Sequence, residues 1–211
     1  MESSGRQRTS LQGPPEDLGS LKRFPRRRLT EGTVLYRVTR RAHGPWWFSS
    51  GGGRFDLEQP RGTCYLALDD LSALLEVIGP DLRFVGADFL ASRVLHRLSL
   101  PEPRTLADFT SRRARGLGLT AEIHTTTPYD LPVEWAKAMD ALGLGGILYM
   151  PRHDPSAEGR SVALFGTAGE ESWAVGDGRS CDSPELRRRL LILCGVQILD
   201  RPRTMDLQIE D

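Results

Sequence analysis

The sequence predicts an α+β fold: a twisted sheet, largely antiparallel or mixed, with flanking helices. Three observations predict it. Several short runs rich in β-branched and aromatic residues are bounded by turn signals, as strands are. A few longer segments carry apolar residues at helical spacing. The two kinds of element do not alternate regularly, so a doubly wound parallel sheet is not expected.

In chain order, Thr33–Val38 (TVLYRV) reads as the first strand. The stretch from Arg40 to Phe55 reads as a loop, anchored by Trp46, Trp47 and Phe48. Thr63–Leu68 (TCYLAL) is the second strand. Alternation along it puts Cys64, Leu66 and Leu68 on the core face and Tyr65 on the other, toward a cleft. The segment DDLSALLEVIG is the clearest helix, with Asp69 as its cap, an apolar stripe of Leu71, Leu74, Leu75 and Ile78, and Gly79 and Pro80 as its stop. Glu76 sits at the margin of that stripe. Ser92–Leu100 reads as a strand, Leu106–Leu119 as a segment that starts helical and stops at glycines, and Leu131–Leu142 as a helix ended by Gly143. Gly145–Met150 and Arg160–Gly166 read as strands, and Ser183–Leu199 as a capped helix feeding a final strand.

The organisation expected is a basic tail over residues 1–30, a folded domain over 31–200 and a short C-terminal tail over 201–211. Basic and acidic residues balance at 28 each, which argues against a general nucleic-acid binder. Arg26, Arg27 and Arg28 form a local exception, read as a solvated arm or the dock of an acidic partner. Three cysteines, Cys64, Cys181 and Cys194, are odd in number and form no CxxC pair, so a reducing, cytoplasmic setting is expected. No run is long and apolar enough to span a bilayer, and the N-terminus lacks the apolar core of a signal peptide.

Common chemical motifs fail. Gly116-Leu-Gly118, Gly143-Leu-Gly145 and Gly176-Asp-Gly178 lack the rest of a dinucleotide fingerprint, and neither a phosphate loop nor a nucleophile elbow is present. His43, His96, His124 and His153 show no ligand spacing, so no metal is expected. Arg152-His153-Asp154 reads first as a turn.

A different constellation remains: Arg37, Arg54 behind the glycines 51–53, Tyr65 and Glu76. Paired arginines clamp a diphosphate, and glycines allow close approach of a ligand. A tyrosine ring packs on an aromatic or cationic ring, and one carboxylate steadies positive charge developing on a ribose. Read singly, each residue has an ordinary role, and Glu76 alone is a solvated helix residue.

The strings LYRV, HGPWWFSSGGGRFDLEQPRGTCYLALDDLSALLEV, TLADFTSRRARGLGLTAEIHTT, DLPVEWAKAMDAL and GGILYMPRHDPS together resemble the RES domain family. The resemblance implies a fold similar to ADP-ribosyltransferase toxins and degradation of NAD+ by phosphorolysis or hydrolysis. It also implies a toxin held by an Xre-type antitoxin. NAD+, with inorganic phosphate in the phosphorolytic case, is then a substrate and not a bound cofactor. Carried over by motif, Arg37 and Arg54 bind the NAD+ phosphates, Tyr65 packs on the nicotinamide end, and Glu76 is the catalytic carboxylate, with Arg37 beside it in the reaction. The family often places serine directly before the Arg-His-Asp element; here Pro151 stands there, without hydroxyl or N–H. Ser156 is the substitute expected to contact the ligand, with Ser50 as the alternative, and Ser156 also reads as an ordinary turn residue after Pro155. Two alternatives follow: an ADP-ribosyltransferase acting on a macromolecule, or an NAD+-binding module with weakened turnover. Against transfer, Leu74 stands two residues before Glu76, where many transferases carry an acidic residue.

Overall fold

The computed structural model describes residues 10–79 and 83–200. In chain order the strands and helices are β1 (Arg26–Leu29), β2 (Val34–Arg40), β3 (Trp47–Phe48), β4 (Arg61–Ala67), α1 (Asp70–Ile78), β5 (Phe84–Gly86) and α2 (Ala87–Ala91). They continue with β6 (Arg93–Ser99), β7 (Arg104–Asp108), α3 (Asp130–Ala141), β8 (Gly146–Tyr149), β9 (Ser161–Thr167), β10 (Gly169–Glu170), β11 (Gly178–Ser180), α4 (Pro184–Cys194) and β12 (Gln197–Leu199). One eight-stranded sheet has the order β1-β7-β8-β9-β4-β2-β6-β11. Only β7 and β8 run parallel within it, so the sheet is mixed and mainly antiparallel.

The pairing is uneven in one place. β4 pairs with β9 over seven residues and β2 with β6 over seven, yet β2 and β4 share the single rung Tyr36↔Ala67. The sheet splits there, and a cleft opens at the split.

Apolar side chains fill both faces of the sheet. Phe55, Phe109, Trp135, Met139, Ile147 and Phe165 pack on one side beneath α3. Leu35, Trp46, Phe48, Cys64, Leu66 and Leu164 pack on the other. A third cluster joins α1, α2 and α4 to the sheet through Leu74, Leu90, Leu186 and Leu190. On β4 the alternation is as expected: Cys64 and Leu66 enter one cluster, while Tyr65 packs against another. The expectation that one face alone is core does not hold.

The helix boundaries follow from local chemistry. Asp69 accepts from the Ser72 N–H at 2.7 Å and caps α1, and Gly79 ends it at φ 77°. Ser183 caps α4, and Gly143, at φ 72°, follows the end of α3. Pro80, part of the expected stop, lies outside the described residues, as do residues 1–9 and the expected C-terminal tail.

Three expectations are corrected. Residues 10–29 are not a tail. Leu11, Leu21 and Phe24 are buried, and the Phe24 ring lies 5.6 Å from that of Phe109 and 5.9 Å from that of Trp135. Burying each such side chain contributes roughly 1.5–3 kcal/mol, enough to hold the segment down, and Arg26–Leu29 then pairs with β7. Leu106–Asp108 is strand, not the start of a helix: Leu106 and Ala107 enter clusters on opposite faces of the sheet, a demand that overrides local helix propensity. Of the three loop anchors, Trp46 and Phe48 are buried, but Trp47 is 51% exposed.

Candidate active site

Two adjoining lobes form a cleft, the first of them at the split between β2 and β4. The first, about 230 Å³, is lined by Tyr36 and Arg37 of β2, Tyr65 of β4, Glu76 of α1, Tyr149 of β8 and Ser161 of β9. The second, about 380 Å³, is lined by Gly52, Gly53, Arg54, His124, Tyr129, Arg152 and His153. Tyr65, Glu76 and Tyr149 line both, so they form the shared wall. A larger groove of about 600 Å³ lies at the other ends of β4 and β9. There Arg61 is already paired with Asp140 and Arg104 with Glu102.

Arg37 is held by its own loop. Its Nη1 donates to the carbonyls of Pro45 at 2.7 Å and Trp47 at 2.9 Å, and to Cys64 Sγ at 2.8 Å. Burial pushes the Cys64 thiol up to about 11, so that sulfur is a neutral acceptor.

Arg54 is 8% exposed. Its Nη1 donates to the Thr126 carbonyl at 2.7 Å, and its guanidinium lies over the Tyr129 ring at 4.6 Å. Its Nη2 is buried and has no partner. Burial lowers its pKa, partly offset by Tyr129 and Glu76, but an arginine stays charged.

Asp56 fixes the glycine loop to the cleft wall. It is 3% exposed and accepts from the Gly53 N–H at 2.8 Å, the Tyr65 hydroxyl at 2.7 Å and the Ser49 hydroxyl at 3.1 Å. Tyr65 in turn accepts from the Phe55 N–H at 2.8 Å. A Cβ on Gly53 would stand 2.5 Å from both the Tyr65 hydroxyl and Asp56 Oδ1, so only glycine fits. Burial, then the Asp56 carboxylate, raises the Tyr65 phenol far above its usual range.

Glu76 points into the cleft and not into solvent, although a lone helix glutamate is expected to be solvated. Its Oε1 is buried without a partner. Burial raises its pKa; the backbone N–H of Arg152 and the Arg54 and Arg152 guanidinium groups pull in the other direction. His124, 3% exposed, is pushed down to about 4 by burial and by Arg54, so it is neutral near pH 7.

Arg37, Arg54, Tyr65 and Glu76 therefore come together around two joined lobes. Ser156 does not join them. It is exposed in the turn after Pro155, its hydroxyl donates to Asp154 at 2.6 Å, and it faces a neighbouring cleft between α1 and α4. Arg152 and His153 sit in the expected turn, but both also line the Arg54 lobe, and Arg152 Nη1 donates to the Tyr129 hydroxyl at 3.2 Å.

Several site residues escaped sequence reasoning: His124, Tyr129, Tyr149 and Ser161, which line the lobes, and Asp56, which holds the loop and Tyr65 behind them. Tyr149 had a usable signal, since alternation from Ile147 puts it on the Tyr65 side of the sheet. Ser161, 1% exposed and beside the Tyr149 hydroxyl, is the one serine among the described residues that lines either lobe.

The fold is α+β with a split mixed sheet, and the site is a cleft that presents both charges. Residues 34–182 match the RES domain family, and the chain belongs to that family. No curated protein matches the sequence. A chain from the crystal structure of the M. tuberculosis MbcT-MbcA toxin–antitoxin complex is similar in structure, with TM-score 0.58 and 16% identity, covering 77% of this chain and 91% of that one. At that identity the likeness shows the fold.

Proposed function

We propose that this protein is an NAD+-cleaving enzyme that breaks the nicotinamide–ribose bond, and that it is the toxin of a toxin–antitoxin pair. One observation carries the chemistry. Arg54 Nη2 and Glu76 Oε1, buried atoms of opposite charge on residues that line one cleft, lack hydrogen-bond partners among the described residues. Leaving such groups unpaired costs free energy, which a ligand with an anionic end and a developing cation recovers. NAD+ has both. Membership of the RES family supports this reading, and the similar chain in a toxin–antitoxin complex supports the pairing with an antitoxin.

In this reading Arg37 and Arg54 hold the diphosphate and Tyr65 packs at the nicotinamide end. The ribose–nitrogen bond breaks, its electron pair leaves with neutral nicotinamide, and the Glu76 carboxylate steadies the cationic sugar. Water or phosphate then attacks the sugar carbon, with loss of a proton to solvent. Transfer to a macromolecule is disfavoured, because Leu74 is 1% exposed and apolar where an acceptor-activating acid would stand. Pro151 supplies no hydroxyl and Ser156 faces elsewhere, so in this reading Ser161, which lines the first lobe, takes the serine's role.

The test is release of nicotinamide from NAD+ by the purified chain, with and without inorganic phosphate. Release is expected. Acceleration by phosphate with a 1″-phosphorylated product identifies phosphorolysis. Calorimetric binding without release identifies a binding module, and absence of both removes the proposal.

A further inference from the structure

β1 is the outermost strand of the large sheet. One edge pairs with β7, from Arg26↔Ala107 to Leu29↔Arg104. No described residue pairs with the other edge, and no further backbone hydrogen bond joins Arg26, Arg27 or Arg28 to another segment. All three arginines are exposed, as are Lys22 and Arg23 before them. Arg112, Arg113 and Arg115, in the turn that follows β7, are exposed too. None of these eight cations takes part in an ion pair among the described residues. In a chain of zero net charge this is a local excess, gathered around one open strand edge.

We propose that the free edge of β1 is a docking strand for an extended acidic segment of a protein partner. An unpaired row of N–H and C=O groups is a template for an added strand. Side chains alternate along β1, so Arg26 and Arg28 stand on one face of the sheet and Arg27 on the other. An added strand with consecutive carboxylates presents charge to both faces at the same spacing, and opposite charges across neighbouring strands attract. Such a partner also relieves the repulsion among three adjacent guanidinium groups. A nucleic-acid duplex fits less well: it offers phosphates to one face and leaves the strand edge unpaired. Three strands, β7, β8 and β9, lie between β1 and β4 in the sheet, so this surface is separate from the Glu76 cleft and does not rest on the NAD+ reading.

The experiment uses the full chain and three labelled probes followed by fluorescence anisotropy at low salt: a glutamate homopeptide, the same peptide N-methylated at alternate backbone nitrogens, and a short DNA duplex. The glutamate peptide is expected to bind saturably, and the N-methylated peptide and the duplex more weakly. The R26E/R27E/R28E chain should lose roughly tenfold or more in affinity for the first probe, with a melting curve little changed, because all three side chains are exposed and their one hydrogen bond among those described is from Arg26 Nη2 to the Lys22 carbonyl at 3.2 Å. Should that chain melt early, the single variant Arg27→Gln gives the smaller loss. The comparison of the two peptides needs no variant at all. No saturable binding of the glutamate peptide, equal binding of its N-methylated form, or preference for DNA would each overturn the proposal.

Discussion

Arg54 and Glu76 line one cleft, and each leaves a buried polar atom, Nη2 and Oε1, without a hydrogen-bond partner among the described residues. The two sit on unrelated elements, a glycine-led loop and the helix α1.

Glu76→Gln keeps the shape of the side chain and removes the charge. Nicotinamide release should fall roughly 10²–10³-fold, the usual loss when one group aimed at developing charge is removed. The fold should survive. Burial disfavours the Glu76 carboxylate in the native state, so the melting temperature near pH 7 should stay level or rise. A large loss of stability with activity retained would place Glu76 in the scaffold and not in the reaction.

Arg54→Lys preserves a positive charge but not the fork. Lysine cannot hold the Thr126 carbonyl, cover the Tyr129 ring and offer a second donor to the cleft at once. Calorimetry should show NAD+ binding weakened roughly tenfold or more, since a hydrogen bond to a charged group contributes about 1.5–3 kcal/mol. Unchanged affinity would move the anion-binding role away from Arg54.

Much of this site was legible in the sequence because it hangs on strongly patterned elements. The Asp69 cap and the leucine stripe define α1, which places Glu76 at the margin of a buried face. Alternation along β4 separates Tyr65 from Cys64 and Leu66. What was not legible depends on contacts distant along the chain. Tyr129 and Thr126 matter because Arg54 reaches them, a separation of about 70 residues that no local pattern encodes. Leu11, Leu21 and Phe24 have no periodicity; the aromatic cluster around Trp135 captures them. Leu106–Asp108 carries helix formers, and pairing with β1 and β8 turns it into strand.

Two buried groups give opposite responses to pH. His124 is held down to about 4, against an unfolded value near 6.5. Between those values the unfolded chain binds more protons, so stability falls as pH drops through that window, by about 3 kcal/mol at most. A His124→Gln chain should show a flatter decline in melting temperature from pH 7 to pH 4. Glu76 is raised, so the folded state holds its proton longer and loses this contribution to stability as pH rises through the window just above the ordinary glutamate value. Its effect on activity runs the opposite way along the axis: cleavage needs the ionised form, and kcat/KM should fall on acidification at a pH above that ordinary value. Persistence of that acidic limb in a Glu76→Gln chain still able to turn over would exclude Glu76 as the titrating group.

Tyr65→Phe separates the ring of the tyrosine from its hydroxyl. The ring remains on the shared wall between the two lobes. The hydroxyl takes with it a donor to Asp56 and an acceptor for the Phe55 N–H. Stranding those buried groups should cost about 1–3 kcal/mol, read as a lower urea midpoint with an unchanged slope. Asp56 also holds the Gly53 N–H, so the loss loosens the loop that carries Arg54. NAD+ binding should therefore weaken together with stability, while the rate at saturating NAD+ changes less. Gly53→Ala attacks the same contact from the other side, by driving a methyl group against the Tyr65 hydroxyl, and pairing it with Tyr65→Phe should relieve part of the damage. Strict additivity of the two changes would show that the loop and the tyrosine are not coupled.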